Sequence, residues 1–371
     1  MNAAAAVVVN GPALAQRLPW SDRVSHLGLL GIVLLLGLGL VAPLVAILSQ
    51  SLNPSASGAA GLAAFTSYLA SPALLGSLWN SVWVSLLVTL IVVPLAFTFA
   101  YAITRSCMPA KPLLRTVMLL PLLAPSLLSA ISMIYWFGNQ GVARDFWLAL
   151  GFEGIYGAPG IVLAQCFATF PHVLMILVTA LSLADARLYE AAAAMGTGTV
   201  RQFFTITLPG AKYGLISAAL VCFTLVITDF GIPKVVGGNF NVLATDVFKL
   251  VIGQQDFQRG AVVALLLLAP AVLTFGVDAL VQRKQTATLT ARAVALVPRR
   301  SRGFDFAMTL YCGVVAGLVL AMFGMAVFAS FATFWPYNLA PSLNHYVAGL
   351  VDAGVACLLY TSPSPRDKRQ S

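Results

Sequence analysis

Seven apolar runs constrain this chain more than any other feature, because each is about as long as a bilayer core is thick. They cover 27–48, 82–103, 116–137, 160–183, 213–232, 261–280 and 306–331. An α-helix rises 1.5 Å per residue, so roughly 20 residues cross the ~30 Å of hydrocarbon. Hydrocarbon offers no partner to a free backbone group, which leaves only helices and closed barrels as spanning forms. Barrel strands alternate over about 10 residues, and these runs do not alternate. The expected fold class is therefore all-α, a polytopic transmembrane helical bundle with seven spans. Composition agrees: 60% of residues are apolar and 9% are charged, against about 25% charged in a soluble domain. The net charge of +9 sits between the runs and forms no basic patch or arm, so membrane lipid is the expected surrounding and nucleic acid is not an expected partner. Five cysteines occur without a CxxC pair or a histidine at metal spacing. They read as small packing residues, with neither a disulfide framework nor a metal or other cofactor expected.

Lys and Arg set the orientation, since positive loops stay on the cytoplasmic side. With the amino terminus inside, 14 Lys and Arg fall in cytoplasmic segments and 4 outside, the latter being Arg144, Lys234, Lys249 and Arg259. This predicts a multi-pass membrane protein with a cytoplasmic amino terminus over 1–26. The Ala-rich residues 1–9 lack the basic start of a secretory signal, so the first run serves as its own insertion signal. Pro43, Pro94, Pro121 and Pro125 fall inside runs, where neighbouring helices are expected to absorb the kinks.

The loop over 185–210, on the cytoplasmic side in this orientation, is the most informative segment. It begins with Asp185, which opposes the positive end of a helix dipole, and continues into an Ala-rich stretch of high helix propensity. Gly196 is expected to stop that helix. Thr197 or Thr199 is then placed to cap a second helix with a stripe of Val200, Phe203, Phe204 and Ile206, ended by Pro209. Four consecutive alanines beside Glu190 leave one face with little side-chain bulk, open to close approach by another protein.

Glu190, Ala191 and Ala192, then Gly196, then Ile206, Leu208 and Pro209 match without a gap the EAA loop of binding-protein-dependent ABC importer permeases, and the chain is identified as a member of that family. The resemblance implies that these seven residues form the coupling helices. They would dock on a separate cytoplasmic ABC ATPase dimer and pass its closure to the spans. It further implies a periplasmic or lipoprotein solute-binding protein as partner, and no enzymatic activity in the permease itself. The chain has no GxxxxGK[ST] phosphate loop, in keeping with ATP binding elsewhere. The stretch 228–246, beginning Thr-Asp-Phe-Gly-Ile-Pro, and the following Ile-Gly-Gln-Gln-Asp-Phe-Gln over 252–258 resemble permeases of the ferric-iron type, most closely those assigned to 2-aminoethylphosphonate uptake. That resemblance implies a small hydrophilic solute, 2-aminoethylphosphonate first and ferric iron second.

The chain divides into a first six-helix permease half over 27–281, a basic linker over 282–303 without an acidic residue, and the start of a second half over 304–356. The division rests on the run 306–331 followed by Trp335-Pro-Tyr-Asn and then Ser342-Leu-Asn-His-Tyr346, which parallels the opening run followed by Ala64-Phe-Thr-Ser-Tyr68, in an order that fits permeases with two fused halves. Residues 357–371, which pass through Cys-Leu-Leu-Tyr into the polar, Pro-containing stretch 361–371, read as a non-native read-through tail on a truncated frame, with a natural basic tail as the alternative.

Ionisable residues at membrane depth are functional hypotheses by default. Gln165, Thr169 and His172 recur on one helical face and are candidates to line the pathway, as is Asp229; helix-to-helix hydrogen bonding accounts for the first three equally well. For Asp229 the alternative is an interfacial ion pair with Lys234, and for Asp278 a local pair with Arg283 and Lys284. Two other function classes are expected to show features this chain lacks. An intramembrane enzyme needs clustered catalytic groups, and an ion-coupled secondary transporter needs ionisable groups near midplane on broken helices, where only His172 qualifies.

Overall fold

The computed structural model describes residues 20–52, 65–66, 68, 70–288, 296–298 and 300–351. The chain begins with α1 (Trp20–Leu52) and continues through α2 (Pro72–Arg105), α3 (Lys111–Leu123), α4 (Ser126–Phe137), α5 (Arg144–Ala149) and α6 (Ala158–Ser182). Then come α7 (Ala186–Ala194), α8 (Thr199–Gln202), α9 (Leu208–Thr228), α10 (Gly231–Val236), α11 (Leu243–Phe248) and α12 (Phe257–Thr288). The last elements are α13 (Arg302–Phe331), a hairpin of β1 (Ala332–Phe334) and β2 (Asn338–Pro341), and α14 (Asn344–Val351).

Among the described residues six helices are long and apolar enough to cross a membrane, and a seventh candidate is the pair α3 and α4. That pair occupies the run expected as one span over 116–137, as two helices rather than one continuous helix. Its two helices meet at 102°. The reason lies at Ala124 and Pro125, which are both extended, with ψ of 142° and 146°. Proline disfavours helical geometry in the residue before it and supplies no N–H of its own, and the helix breaks at Ala124–Pro125 while Pro121 stays inside α3. The fifth run also ends early. Its helix α9 stops at Thr228, and Asp229 is extended with ψ 126°, so 229–232 belong to a turn and to α10. At the other end of the bundle, α12 runs to Thr288 and so carries seven residues of the 282–303 segment as helix.

The core forms where α2, α6 and α9 meet. Val84, Val88, Val92, Ala96 and Ala100 recur every fourth residue on α2 and are buried, with Ile161, Leu174 and Leu177 of α6 and Ala211, Ala218 and Cys222 of α9 against them. Small residues let the axes approach: a Cβ added at Gly214 of α9 would lie 2.2 Å from the Cβ of Ala180 on α6. Buried hydroxyls on α2 are satisfied within their own helix, Ser81 Oγ donating to the Ser77 carbonyl at 2.9 Å and Ser85 Oγ to the Ser81 carbonyl at 2.6 Å. Ser81 Oγ also accepts from the Leu243 N–H at 2.8 Å, which docks α11 on α2.

The helix beyond the linker, α13, lies against this core rather than apart from it. Tyr311 donates its hydroxyl to the Leu95 carbonyl of α2 at 2.8 Å, and Trp136 Nε1 of α4 donates to the Ala321 carbonyl at 3.2 Å. By contrast α1 packs along α12 and leaves its apolar side chains exposed, Leu35 at 72%. Such a surface is stable only against hydrocarbon or another apolar partner.

Candidate coupling loop

The segment 185–210 folds as a short helix, a tight turn and a second helical segment. Asp185 opens α7 as its N-cap, its carboxylate accepting from the Arg187 N–H at 3.1 Å. Gly196 ends the helix in the left-handed region at φ +72°. Around it the Gly196 N–H reaches the Ala193 carbonyl at 3.0 Å and the Thr197 N–H reaches the Ala192 carbonyl at 3.0 Å. This paired closure satisfies the last carbonyls of α7, and glycine alone adopts that φ without steric cost. Nothing lies within 4 Å of a Cβ built at Gly196, so the backbone angle, not crowding, requires glycine there.

Two details of the second helix differ from expectation. Its N-cap is Gly198, not Thr197 or Thr199, and no side chain caps it; the turn is closed instead by Gln202 Nε2 donating to the Thr197 carbonyl at 2.9 Å. Nor does Pro209 end the helix. A wide turn over Phe203–Thr207, in which the Leu208 N–H bonds the Phe203 carbonyl five residues back, leads directly into α9. Pro209 thereby falls in the first turn of α9, where a missing N–H removes little. The wide turn also splits the apolar stripe. Phe203 turns inward against Phe97 and Tyr101, at centroid distances of 6.0 and 5.6 Å, while Val200 and Phe204 stay exposed. Ile206 and Leu208 are half-buried and Pro209 is exposed.

Of the alanines, Ala192 is buried against the bundle, whereas Ala191, Ala193 and Ala194 are exposed beside an exposed Glu190. Leu188, Met195, Val200 and Phe204 complete an exposed apolar surface around them, Met195 being 77% exposed. The two helical segments of the loop thus expose apolar side chains beside a carboxylate.

The loop is tied to the core by a residue that sequence reasoning passed over. Arg105, the last residue of α2, donates Nη2 to the Leu181 carbonyl at 3.2 Å and to the Tyr189 hydroxyl at 3.3 Å, and its guanidinium lies 5.0 Å from the Tyr189 ring centroid. The Tyr189 hydroxyl in turn shares a 2.9 Å hydrogen bond with Thr207 Oγ1. Arg105 thus joins α2, α7 and the wide turn. In sequence it looked like one more positive residue at a span end, and nothing near it in the chain names its partners. Removing the hydroxyl with Tyr189→Phe is expected to loosen α7 by about 1 kcal/mol, read as roughly fivefold faster amide exchange over 186–194; unchanged exchange would contradict the anchoring role.

Of the residues singled out within the spans, the structure brings Gln165, Thr169 and Asp229 together. Gln165 Nε2 donates to Asp229 Oδ2 at 2.9 Å, and the same oxygen accepts from the Ile232 N–H at 2.9 Å, capping α10. Thr169 Oγ1 donates to the Gln165 carbonyl at 2.8 Å, and Cys222 Sγ lies 3.7 Å from that hydroxyl. His172 is not part of this node; it is half-buried and its Nδ1 has no partner among the described residues. The alternative pairing of Asp229 with Lys234 is not made, because Lys234 Nζ sits 4.5 Å from the Phe248 ring centroid. Asp278 likewise bonds Ser217 and Gln282 rather than Arg283. Asp246, missed in the sequence as one acid of a polar stretch, is buried on α11 with Oδ2 unpartnered among the described residues.

The family model described as "Binding-protein-dependent transport system inner membrane component" matches residues 93–287, just over half of the chain. The ferric transport system permease protein FbpB of Actinobacillus pleuropneumoniae is 25% identical over 254 residues, covering 66% of this chain and 37% of the relative. The molybdenum transport system permease protein ModB of Escherichia coli K12 is 31% identical over 139 residues, covering 37% of this chain and 61% of the relative. This chain therefore spans well under half the length of the ferric permease it matches. Among solved structures, a bacterial alginate ABC transporter in complex with an alginate pentasaccharide-bound periplasmic protein shares the fold, with a TM-score of 0.56, 14% identity, and 71% of this chain and 96% of that chain covered. Loop, bundle and family match converge, and the chain belongs to the binding-protein-dependent transport system inner membrane components.

Proposed function

We propose that this chain is permease machinery of an ATP-driven importer in a bacterial inner membrane, with its amino terminus and the 185–210 loop on the cytoplasmic side. A separate ATPase dimer grips the loop, and a periplasmic or lipoprotein binding protein delivers the solute at the opposite face. The observation that carries this reading is the exposed surface of Glu190, Ala191, Met195, Val200 and Phe204, held to α2 by Arg105. A rigid mount behind an apolar docking face is what transmission of force through packed helices needs. Attachment of a membrane-impermeant maleimide to a Met195→Cys variant tests the orientation. Protection in intact cells and labelling after permeabilisation are expected, and labelling of intact cells overturns the reading.

The solute we assign is 2-aminoethylphosphonate, with ferric iron as the second reading, favoured by the ferric permease relatives. The first reading rests on the resemblance of residues 228–246 and 252–258. Uptake measured with each solute, in cells carrying the importer with its ATPase and binding protein, separates the two. Saturable uptake of 2-aminoethylphosphonate undiminished by excess ferric iron is expected. Ferric uptake alone would replace the first reading by the second.

A further inference from the structure

The end of α2 that holds the coupling loop also holds the first helix beyond the linker. Asp305, the fourth residue of α13, is only 8% exposed, yet its carboxylate is fully engaged: Oδ1 accepts from the Cys107 N–H at 2.7 Å and Oδ2 from the Ser301 N–H at 3.1 Å. The second bond is local capping, favoured by the dipole of α13. The first is not local, since it crosses 198 positions to the residue two beyond Arg105. Cys107 Sγ adds a contact to the Pro298 carbonyl at 3.4 Å. Above this clasp the helices stay in register, with Phe304 edge-on to Tyr101 at 6.0 Å and Tyr311 bonded to the Leu95 carbonyl at 2.8 Å. Arg105 and Cys107 therefore face two different elements from the end of one helix, the coupling loop on one side and α13 on the other.

We propose that Asp305 is a positioning residue for transport, fastening α13 to the helix that carries the coupling loop, so that loop, α2 and α13 move as one body and the region beyond the linker is driven by the loop of the region before it. The proposal rests on the coupling reading of 185–210. Its physical basis is that a buried carboxylate bonded to two backbone N–H groups is costly to detach, because separation leaves charge and donors unpaired in a low-dielectric setting. A helix joined only by apolar contacts slides more easily.

The test uses the full importer, assembled with its ATPase and binding protein in nanodiscs, with spin labels at Met195 and Leu310, both exposed. In the unsubstituted background the distance between the two labels is expected to stay the same in the nucleotide-free and vanadate-trapped states. A change between those states overturns the proposal, and this measurement needs no variant at Asp305 to fold. Asp305→Ala is expected to make the distance differ between states and to lower uptake per ATP hydrolysed by roughly tenfold, with ATPase activity retained. Asp305→Asn, which keeps one acceptor, is expected to fall between. Asp305→Ala with unaltered distance and unaltered uptake per ATP removes the role assigned to Asp305. Failure of the underlying coupling reading has a separate signature: a Met195→Cys variant that cross-links to the ATPase in neither state.

Discussion

Gly196→Val is expected to lower solute uptake by roughly a hundredfold, at the strong end of couplings between sites, while the protein still inserts in the membrane. Gly196 sits at φ +72°, a region that costs an L-residue with a Cβ roughly 1–2 kcal/mol and is more adverse still for a β-branched side chain. Because nothing lies within 4 Å of an added Cβ, the strain is in the backbone angle and relief comes from rotating the backbone. That rotation dissolves the bonds from Gly196 to Ala193 and from Thr197 to Ala192 and re-aims α7 relative to α8. The surface offered by Met195, Val200 and Phe204 then loses its shape, while the core of α2, α6 and α9 is untouched. Gly196→Asn is the discriminating control, since asparagine tolerates left-handed geometry; it should retain much of the uptake. Equal loss in both variants would locate the requirement in side-chain size at the docking face rather than in the turn. Glu190→Lys probes the same face by charge. Glu190 is exposed and makes no hydrogen bond or ion pair among the described residues, so its reversal should weaken ATPase association with little effect on the permease fold. Co-purification of the ATPase reads both variants, and undiminished uptake by both would remove the coupling role.

Gly214→Val should act through the opposite route, by destabilising the bundle itself. The first added carbon lies 2.2 Å from the Cβ of Ala180, far inside van der Waals contact, and both partners are on long helices that cannot yield locally. Overpacking of this kind costs about 3 kcal/mol at the upper end of its usual range, a large part of the stability of any domain. The expected result is a marked fall in the thermal unfolding temperature in detergent and in yield from the membrane. Gly210 provides the comparison, having nothing within 4 Å of an added Cβ. Gly210→Ala should leave both quantities unchanged, even though it lies four residues away. A Gly214→Val protein as stable as the parent would mean that α6 and α9 do not approach as closely as described.

What could be read directly from the sequence was whatever depends on one segment at a time. Apolar length fixes the spanning helices, because every backbone group in hydrocarbon must find its partner within the same helix. The loop was legible for a related reason: Asp185 caps α7 and Gly196 closes it through contacts within a few residues, so spacing alone carries them. Even so, local rules failed where neighbours intervened. Pro121 and Pro125 looked like tolerable kinks in one span, yet the run breaks at Ala124–Pro125 into two helices at 102°, and Pro209 looked like a helix stop, yet the wide turn before it lets the helix continue.

The node of Gln165 and Asp229, the anchor of Arg105 on Tyr189, and the clasp of Asp305 on Cys107 join residues 64, 84 and 198 positions apart. No periodicity or spacing encodes such pairs. A polar side chain in an apolar run states only that it must find a partner, since leaving it unpaired in a low-dielectric interior is costly; which partner it finds is settled by how the helices stack. The sequence by itself determined that this chain carries membrane-length apolar helices and a helix–turn–helix loop over 185–210. Only the tertiary packing decided which helices that loop is fastened to, because hydrogen bonds between distant segments exist only once the helices lie side by side.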